Sequence, residues 1–354
     1  MAYSFAVRKA RSQDDHKAVQ GKIKIALLVP FRNEAANLGN LILDIQIQSY
    51  PSHLFEVIFI NDHSEDESVK IIKQLAQQTD NLRIIHLPDH QFGKKAAISK
   101  GVREAGGDWI IQTDADCRLP RGFVSEHARY AEQNSQSFIA GPVLLNETNG
   151  LWNKFEVLEF MSLTASTMGS FFTGSPIMCN GANISYGREF FLRNEMEIKK
   201  INSPSGDDMF LLSRAKSEGL KMTFLVDHQS VVNTDTCGSL LSFLSQRVRW
   251  GSKVRYYRDK DILYMAGITF LSSASILGLL IYGLTDISKL YLFGSFLLLK
   301  SLADLFILIV AVKKFQKLRL LWYFPFVALF YYFYLVITGT LSLVSGFRWK
   351  GRKY

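Results

Sequence analysis

The sequence predicts an α/β domain built on a Rossmann-like, mostly parallel sheet, followed by an α-helical membrane domain. Three observations carry that expectation. Short apolar runs alternate with helix-like segments as far as about residue 113, acidic residues recur where those runs end, and charges nearly vanish from long stretches beyond about residue 258.

The first run, residues 22–30 (KIKIALLVP), is apolar and ends in proline, the pattern of a strand buried on both faces. Helix-like periodicity follows over residues 34–48. Phe55–Asn61 (FEVIFIN) predicts a second strand ending at Asp62, with Asp66 placed to cap a helix that runs to about residue 78. Residues 82–87 and 94–105 predict a third strand and helix, and residues 109–113 a fourth strand ending directly at Asp114. Such alternation gives right-handed crossovers and a sheet covered on both faces, with ligands bound at the carboxyl ends of its strands. Asp62 and Asp114-Ala115-Asp116 both fall at such ends. No internal repeat or low-complexity linker interrupts the domain.

Residues 262–284, 290–312 and 320–346 each exceed the roughly 20 residues that span a hydrocarbon core. Basic residues crowd their flanks: Arg247 to Arg258 before the first, Lys313 to Arg319 between the second and third, and Arg348 to Lys353 after the last. This placement accounts for the net charge of +9 through anionic headgroups and the positive-inside bias, and excludes nucleic acid as a partner. A cytoplasmic position for both the basic loop and the basic tail requires two full spans, not three. The third stretch, with Pro325 and its aromatic run FPFVALFYYFYL, is therefore expected to be irregular, re-entrant or interfacial. Lys300 and Asp304, four positions apart in the second stretch, are expected to pair with each other against other helices, a functional relay being the alternative.

Residues 239–258 carry apolar side chains on one face and basic ones on the other, which suits an interfacial helix; a core-facing amphipathic helix is the alternative. Leu151–Phe172, rich in Phe, Leu and Met, reads equally as interfacial helix or as core. Cys117, Cys179 and Cys237 lie far apart without paired spacing, so neither a disulfide framework nor a zinc site is expected. Residues 1–22 are polar and basic with no apolar core, so no cleavable signal peptide is expected.

The acidic sites carry the chemistry. Asp114 and Asp116 alternate around one small residue, a spacing that aims two carboxylates at a hard divalent cation also held by substrate phosphate oxygens. A solvated turn is the bland alternative, weakened by the apolar strand WIIQT directly before it. Asp62 reads either as a turn residue or as an acceptor for a uracil ring and ribose. Asp207 and Asp208 precede an amphipathic helix, whose dipole favours one carboxylate at its start. The second is surplus to capping and suits a general base towards an acceptor hydroxyl, with the adjacent like charge helping to keep one of them basic. Lys94 and Lys95 open a helix against its dipole, which points to an anionic ligand there, a solvated pair being the alternative.

Taken in order, these motifs resemble those of the family 2 inverting glycosyltransferases, which have the GT-A fold. Val29-Pro30-Phe31-Arg32-Asn33-Glu34 resembles the family's opening nucleotide-contact motif, and Asn61-Asp62-His63-Ser64-Glu65-Asp66 its second-strand motif, with Asn61 where the first Asp of the usual pair stands. Gly93-Lys94-Lys95-Ala96-Ala97 is similar to the diphosphate-side helix start, Asp114-Ala115-Asp116 to the metal motif and Gly181-Ala182-Asn183 to the acceptor-side segment. Gly206-Asp207-Asp208 corresponds to the base motif, and Gln246-Arg247-Val248-Arg249-Trp250 to the Gln-x-x-Arg-Trp motif.

The resemblance implies donor contacts at Pro30, Glu34, Asp62, Lys94 and Asp114, and Mg²⁺ or Mn²⁺ on Asp116 with Asp114. It implies Asp208 as general base beside Asp207. Gln246, Arg249 and Trp250 would serve the acceptor and diphosphate, Trp250 stacking on a sugar through an indole face. Trp349 and Arg352 in the tail resemble C-terminal motifs that face the active site in hyaluronan and ceramide-sugar synthases. The expected organisation is a polar segment 1–22, a GT-A domain 23–238, an interfacial helix 239–258, membrane helices 259–346 and a basic tail 347–354.

The expected activity is inverting transfer from a UDP-sugar to a membrane-associated acceptor, a lipid or glycan, giving a β-glycosidic bond. The expected setting is a bacterial inner membrane with the catalytic domain cytoplasmic, with or without a membrane partner subunit. A processive polysaccharide synthase and an inactive nucleotide-sugar-binding scaffold are the alternatives.

Overall fold

The computed structural model describes residues 21–76, 79–134, 136–200 and 206–344, with the backbone alone of 348–349 and 352–353. Residues 1–20 and the side chains of the tail, those of Trp349 and Arg352 included, lie outside the described residues. In chain order the elements are β1 (Ile25–Phe31), α1 (Ala35–Gln46), β2 (Phe55–Asn61), α2 (Ser68–Ala76), β3 (Leu82–His86), α3 (Lys94–Glu104), β4 (Trp109–Gln112), α4 (Phe123–Gln133), β5 (Ser137–Ala140) and β6 (Val143–Leu145). Then follow α5 (Leu151–Phe172), β7 (Ile184–Gly187), α6 (Arg188–Lys200), α7 (Asp207–Ser217), β8 (Lys221–Phe224) and β9 (Val232–Thr234). The last helices are α8 (Leu240–Gly251), α9 (Lys260–Thr285), α10 (Leu290–Lys314) and α11 (Phe324–Val344), and the backbones of Arg348–Trp349 and Arg352–Lys353 pair antiparallel.

Two compact units result. Residues 21–144 and 178–235 make an α/β unit, and residues 145–177 and 236–344 a helical one. Residues 145–177, inside the expected 23–238 domain, thus cluster with the C-terminal helices.

The α/β unit holds a seven-stranded sheet in the order β3-β2-β1-β4-β7-β5-β8. The pairs β3–β2, β2–β1 and β1–β4 are parallel, β7 runs antiparallel to both β4 and β5, and β5–β8 is parallel again. All seven residues of β1 are buried, as expected of a strand covered on both faces. Pro30 costs this central strand no ladder bond. It lies on the same side of β1 as Leu28, towards β4, and that ladder already ends where the Leu28 carbonyl accepts the Thr113 N–H. β4 ends at Gln112, opposite Leu28, three residues before the end of β1, and Asp114 follows there.

In the helical unit α5 packs against α10 and α11, α8 against α11, and α9 against both α10 and α11. Of the two readings of Leu151–Phe172, core holds: Phe155, Leu158 and Met161 are buried, together with Glu156 and Glu159. Among the described residues, three helical stretches, Lys260–Thr285, Ile287–Lys314 and Leu318–Leu343, are long and apolar enough to cross a membrane. The third opens on a 3₁₀ segment over Leu318–Tyr323, a local irregularity, before α11 begins. Pro325 falls in the first turn of α11, where a helix tolerates it, and the helix then runs unbroken to Val344. Lys300 and Asp304 do pair within α10, and the Tyr332 hydroxyl of α11 donates to Asp304 Oδ2 at 3.1 Å.

Residues 239–258 form α8 and a following 3₁₀ turn over Ser252–Tyr256. The expected division into an apolar and a basic face is not kept: Arg247 and Lys253 are buried, while Leu240 and Leu241 are exposed. Burial of Arg247 has a specific cause, described below.

Candidate active site

Two loops close the carboxyl ends of β1 and β2, and they are stitched to each other. Asn33 and His63 both adopt left-handed backbone, at φ 53° and 55°. The Asn33 N–H donates to Ser64 Oγ (3.0 Å), and Asn33 Oδ1 accepts the Glu65 N–H (2.9 Å). Glu34, just before α1, donates its N–H to Ser68 Oγ (2.8 Å) and accepts from Asn37 on Oε2 (2.8 Å). Asp66 does cap, its Oδ1 accepting from Ser68 N–H (3.0 Å) and its Oδ2 from Ala35 N–H (3.0 Å).

Asn61 has a use of its own. Its carboxamide oxygen accepts the Ser64 N–H (2.9 Å), as a carboxylate would. Its amide nitrogen then donates to His86 Nδ1 (3.0 Å), which a carboxylate cannot do. Asp62 is buried, and its Oδ2 accepts the Gly93 N–H (3.0 Å) just before α3.

Lys94, the first residue of α3, is ion-paired with Asp114. Burial opposes the Lys94 ammonium, but Asp114, Asp207 and Asp208 outweigh it and hold the pKa above the ordinary lysine value. One lysine thus joins the expected metal motif to the expected base motif. Lys95 turns the other way, donating to the Ile198 carbonyl (3.0 Å), so the two lysines are not a solvated pair.

Asp207 and Asp208 open α7 after Gly206, whose φ of 96° favours glycine. Asp207 is buried and Asp208 half-exposed, and Asp208 Oδ2 accepts the Gly181 N–H (3.0 Å). Glycine at 181 leaves room for a close approach: a Cβ there would sit 3.2 Å from Lys94 Nζ and 3.4 Å from Asp208 Oδ2.

Asp116 reaches solvent, yet the protein around it, followed by Asp114 and Glu34, pushes its carboxyl up to about 6, with Lys94 acting in the opposite sense. Crowded carboxylates of this kind favour a cation. Among the described residues no group of three or more His, Cys, Asp or Glu is assembled to hold a metal by itself. The two carboxylates of Asp114 and Asp116 fit a hard cation that takes its remaining oxygens from a diphosphate.

Sequence reasoning missed His127 of α4, which supports the segment carrying Gly181. Asn183 donates through Nδ2 to the Pro142 (2.9 Å) and Ser230 (2.8 Å) carbonyls, so its Oδ1 accepts from His127 Nε2 (3.0 Å). His127 Nδ1 therefore accepts from the Ser185 hydroxyl (2.8 Å). Burial lowers the His127 pKa to about 4 against the Asn183 hydrogen bond, so the ring is neutral near pH 7. A lone histidine in a helix carries no sequence signal of this role.

The pentapeptide lies on α8 in the helical unit, and its buried members are Val248 and the charged Arg247. The Arg247 guanidinium is bonded to Glu159 of α5 through Nε (3.1 Å) and Nη2, and to Gln246 Oε1 through Nη1. It also lies 4.3 Å from the Trp250 ring centroid. Trp250, expected to offer an indole face to a sugar, thus has one face covered by Arg247, and Phe160 packs beside it with centroids 6.1 Å apart.

The glycosyl transferase family 2 model matches residues 26–193, a stretch that includes β1–β4 and the acidic motifs as far as Gly181. An undecaprenyl-phosphate 4-deoxy-4-formamido-L-arabinose transferase of Pseudomonas savastanoi pv. phaseolicola is 26% identical over 132 residues, 37% of this chain and 39% of that protein. A beta-monoglucosyldiacylglycerol synthase of Synechocystis sp. is 25% identical over 240 residues, 66% of this chain and 48% of that protein. The chain therefore spans less than half the length of either relative. Among solved structures, a mannosyltransferase from Pyrobaculum calidifontis in complex with GDP-Man and Mn²⁺ superposes with a TM-score of 0.60. That likeness covers 97% of this chain and 94% of the other at 16% identity, and it establishes a shared fold.

Proposed function

Because residues 26–193 are a family 2 glycosyltransferase domain, on a GT-A sheet, we propose that this chain transfers a sugar from a nucleotide-sugar donor to a lipid-borne acceptor at a membrane. The observation that carries this reading is the single lysine, Lys94, set among Asp114, Asp207 and Asp208 at the carboxyl edge of the sheet. That arrangement suits the diphosphate of a donor on one side and a hydroxyl to be deprotonated on the other.

Asp62, with Pro30 and Glu34 on the neighbouring strand end, receives the nucleoside. Asp114 and Asp116 would hold Mg²⁺ or Mn²⁺, and the bound ion would supply positive charge to offset that of the departing diphosphate. Lys94 adds a second positive charge there. Asp208, the more exposed of its pair, takes the proton of the acceptor hydroxyl, and the Gly181 N–H fixes the carboxylate that does so. Attack on the anomeric carbon inverts it, so an α-linked donor gives a β-linked product.

Arg249 takes the diphosphate contact and Gln246 and Trp250 serve the acceptor, and Trp349 and Arg352 of the tail are assigned to the same reaction. The relatives named for undecaprenyl-phosphate and diacylglycerol chemistry support a lipid acceptor. The helices of residues 260–285, 287–314 and 318–343 support residence in a membrane, a bacterial inner membrane with the catalytic domain cytoplasmic in this proposal.

Membranes containing the protein, incubated with radiolabelled UDP-sugars and GDP-mannose and then extracted for lipid and polymer separately, test the proposal. One labelled glycolipid, lost on adding EDTA, is expected. A polymer ladder would point to a processive synthase, and the absence of both transfer and donor hydrolysis would refute an enzymatic role.

A further inference from the structure

Arg247 holds a position of the pentapeptide to which the family resemblance gives no role, yet its guanidinium is engaged on every side. Nε and Nη2 meet Glu159, Nη1 meets Gln246, and the two rings of Phe243 and Trp250 each lie 4.3 Å from its central carbon. The side chains of Arg247 and Glu159 are 6% and 1% exposed. Tyr334 of α11 completes the group, donating its hydroxyl to Glu159 Oε1 at 2.7 Å. Three helices, α5, α8 and α11, thereby meet at one carboxylate.

Stability alone does not explain such a group. A buried ion pair is commonly no more stabilising than apolar side chains of the same volume, because desolvation offsets the attraction. What the charged group offers instead is direction. The planar fork of arginine fixes two hydrogen bonds to one carboxylate and leaves a third donor and two faces at set angles. Here the third donor grips the Gln246 amide, and one face grips the Trp250 indole. Those are the first and last residues of the pentapeptide.

We infer that Glu159, Arg247 and Tyr334 form a positioning device, which sets the Gln246 amide and the Trp250 ring for the transfer step. The inference rests on the glycosyltransferase reading above. Arg247 touches no reacting atom in it; Arg247 acts through Gln246 and Trp250.

The test replaces the whole group by apolar side chains, Glu159→Leu with Arg247→Met and Tyr334→Phe, so that no buried polar atom is left unpaired. The triple variant is expected to melt at or above the wild-type temperature and to bind the donor nucleotide unchanged. Its transfer to lipid is expected to fall on the order of tenfold or more, seen mainly in kcat, as for a misplaced catalytic group. Transfer within about twofold of wild type would overturn the inference. Should the triple variant fail to fold, Arg247→Lys and Tyr334→Phe are measured singly. Each is expected to lower kcat with the donor KM kept, and wild-type kcat in both would again overturn it. Failure of the underlying reading looks different, because the wild-type protein itself would then show no transfer.

Discussion

Lys94 and Asp114 are ion-paired across the carboxyl edge of the sheet, α3 supplying the cation and the turn after β4 the anion. The same ammonium is under the influence of Asp207 and Asp208, so its removal leaves four acidic positions, Asp114, Asp116, Asp207 and Asp208, without their shared counter-charge.

Lys94→Met is therefore expected to weaken donor binding and lower transfer on the order of a hundredfold, as loss of an electrostatic clamp on a diphosphate does. Isothermal titration with the nucleotide diphosphate, beside a transfer assay, measures both. Unchanged binding would remove Lys94 from the donor site.

Gly181→Ala tests the close approach of Lys94 and Asp208 to one backbone position. The added methyl would meet both side chains at 3.2–3.4 Å, so each must shift by a few tenths of an ångström. The expected outcome is a transfer rate reduced about tenfold or more with a modest stability loss of about 1 kcal/mol. Paired kinetics and thermal melts separate the two effects.

The neutral His127 makes the α/β unit acid-sensitive. Its imidazole titrates near 6.5 when unfolded and at about 4 in the folded state, so between those values the unfolded chain binds more protons. The contribution is fully present above pH 6.5 and is lost as pH falls towards 4, up to about 3 kcal/mol over the window. His127→Gln is expected to melt lower near pH 7 but to lose less stability between pH 6.5 and 4 than wild type. Parallel melting curves for the two proteins would contradict the burial argument.

Much of this site was legible from sequence, and the reason is local. β1, β2 and β4 are short, largely apolar runs, and the acidic residues after β2 and β4, Asp62 and Asp114, fall at the strand ends by necessity. The other half of the sheet was not legible. β5, β7 and β8 are four residues each (SFIA, ISYG, KMTF) and too short and mixed for any period to emerge. Their order depends on antiparallel pairing of β7 between β4 and β5, which no local pattern encodes. The same limit hid Arg247 and Glu159, which meet across 88 positions. Pro325 stands where the 3₁₀ segment Leu318–Tyr323 gives way to α11, in a first turn that tolerates it, so the irregularity lies before the proline and the helix runs on after it.

In the helical unit, Lys300 and Asp304 compensate one another within α10, with Tyr332 on the carboxylate. Lys300→Met or Asp304→Leu alone is expected to destabilise the membrane-inserted protein by about 1–3 kcal/mol, since each leaves an unpaired charge in hydrocarbon. The double variant is expected to recover most of that loss, read as melting temperature in detergent. A double variant as unstable as the worse single would show the charges serving something other than each other.

The most direct test of the account is Asp208→Asn, read by two instruments on the same preparation. The substitution keeps one side-chain oxygen for the Gly181 N–H, gives up the oxygen that accepts the Met209 N–H, and removes the charge and with it the basicity. Donor nucleotide affinity should stay within about threefold of wild type, while transfer to the lipid acceptor falls by about a thousandfold or more. Retained transfer in that variant, with the protein folded and the donor bound, would contradict the assignment of Asp208 as the base.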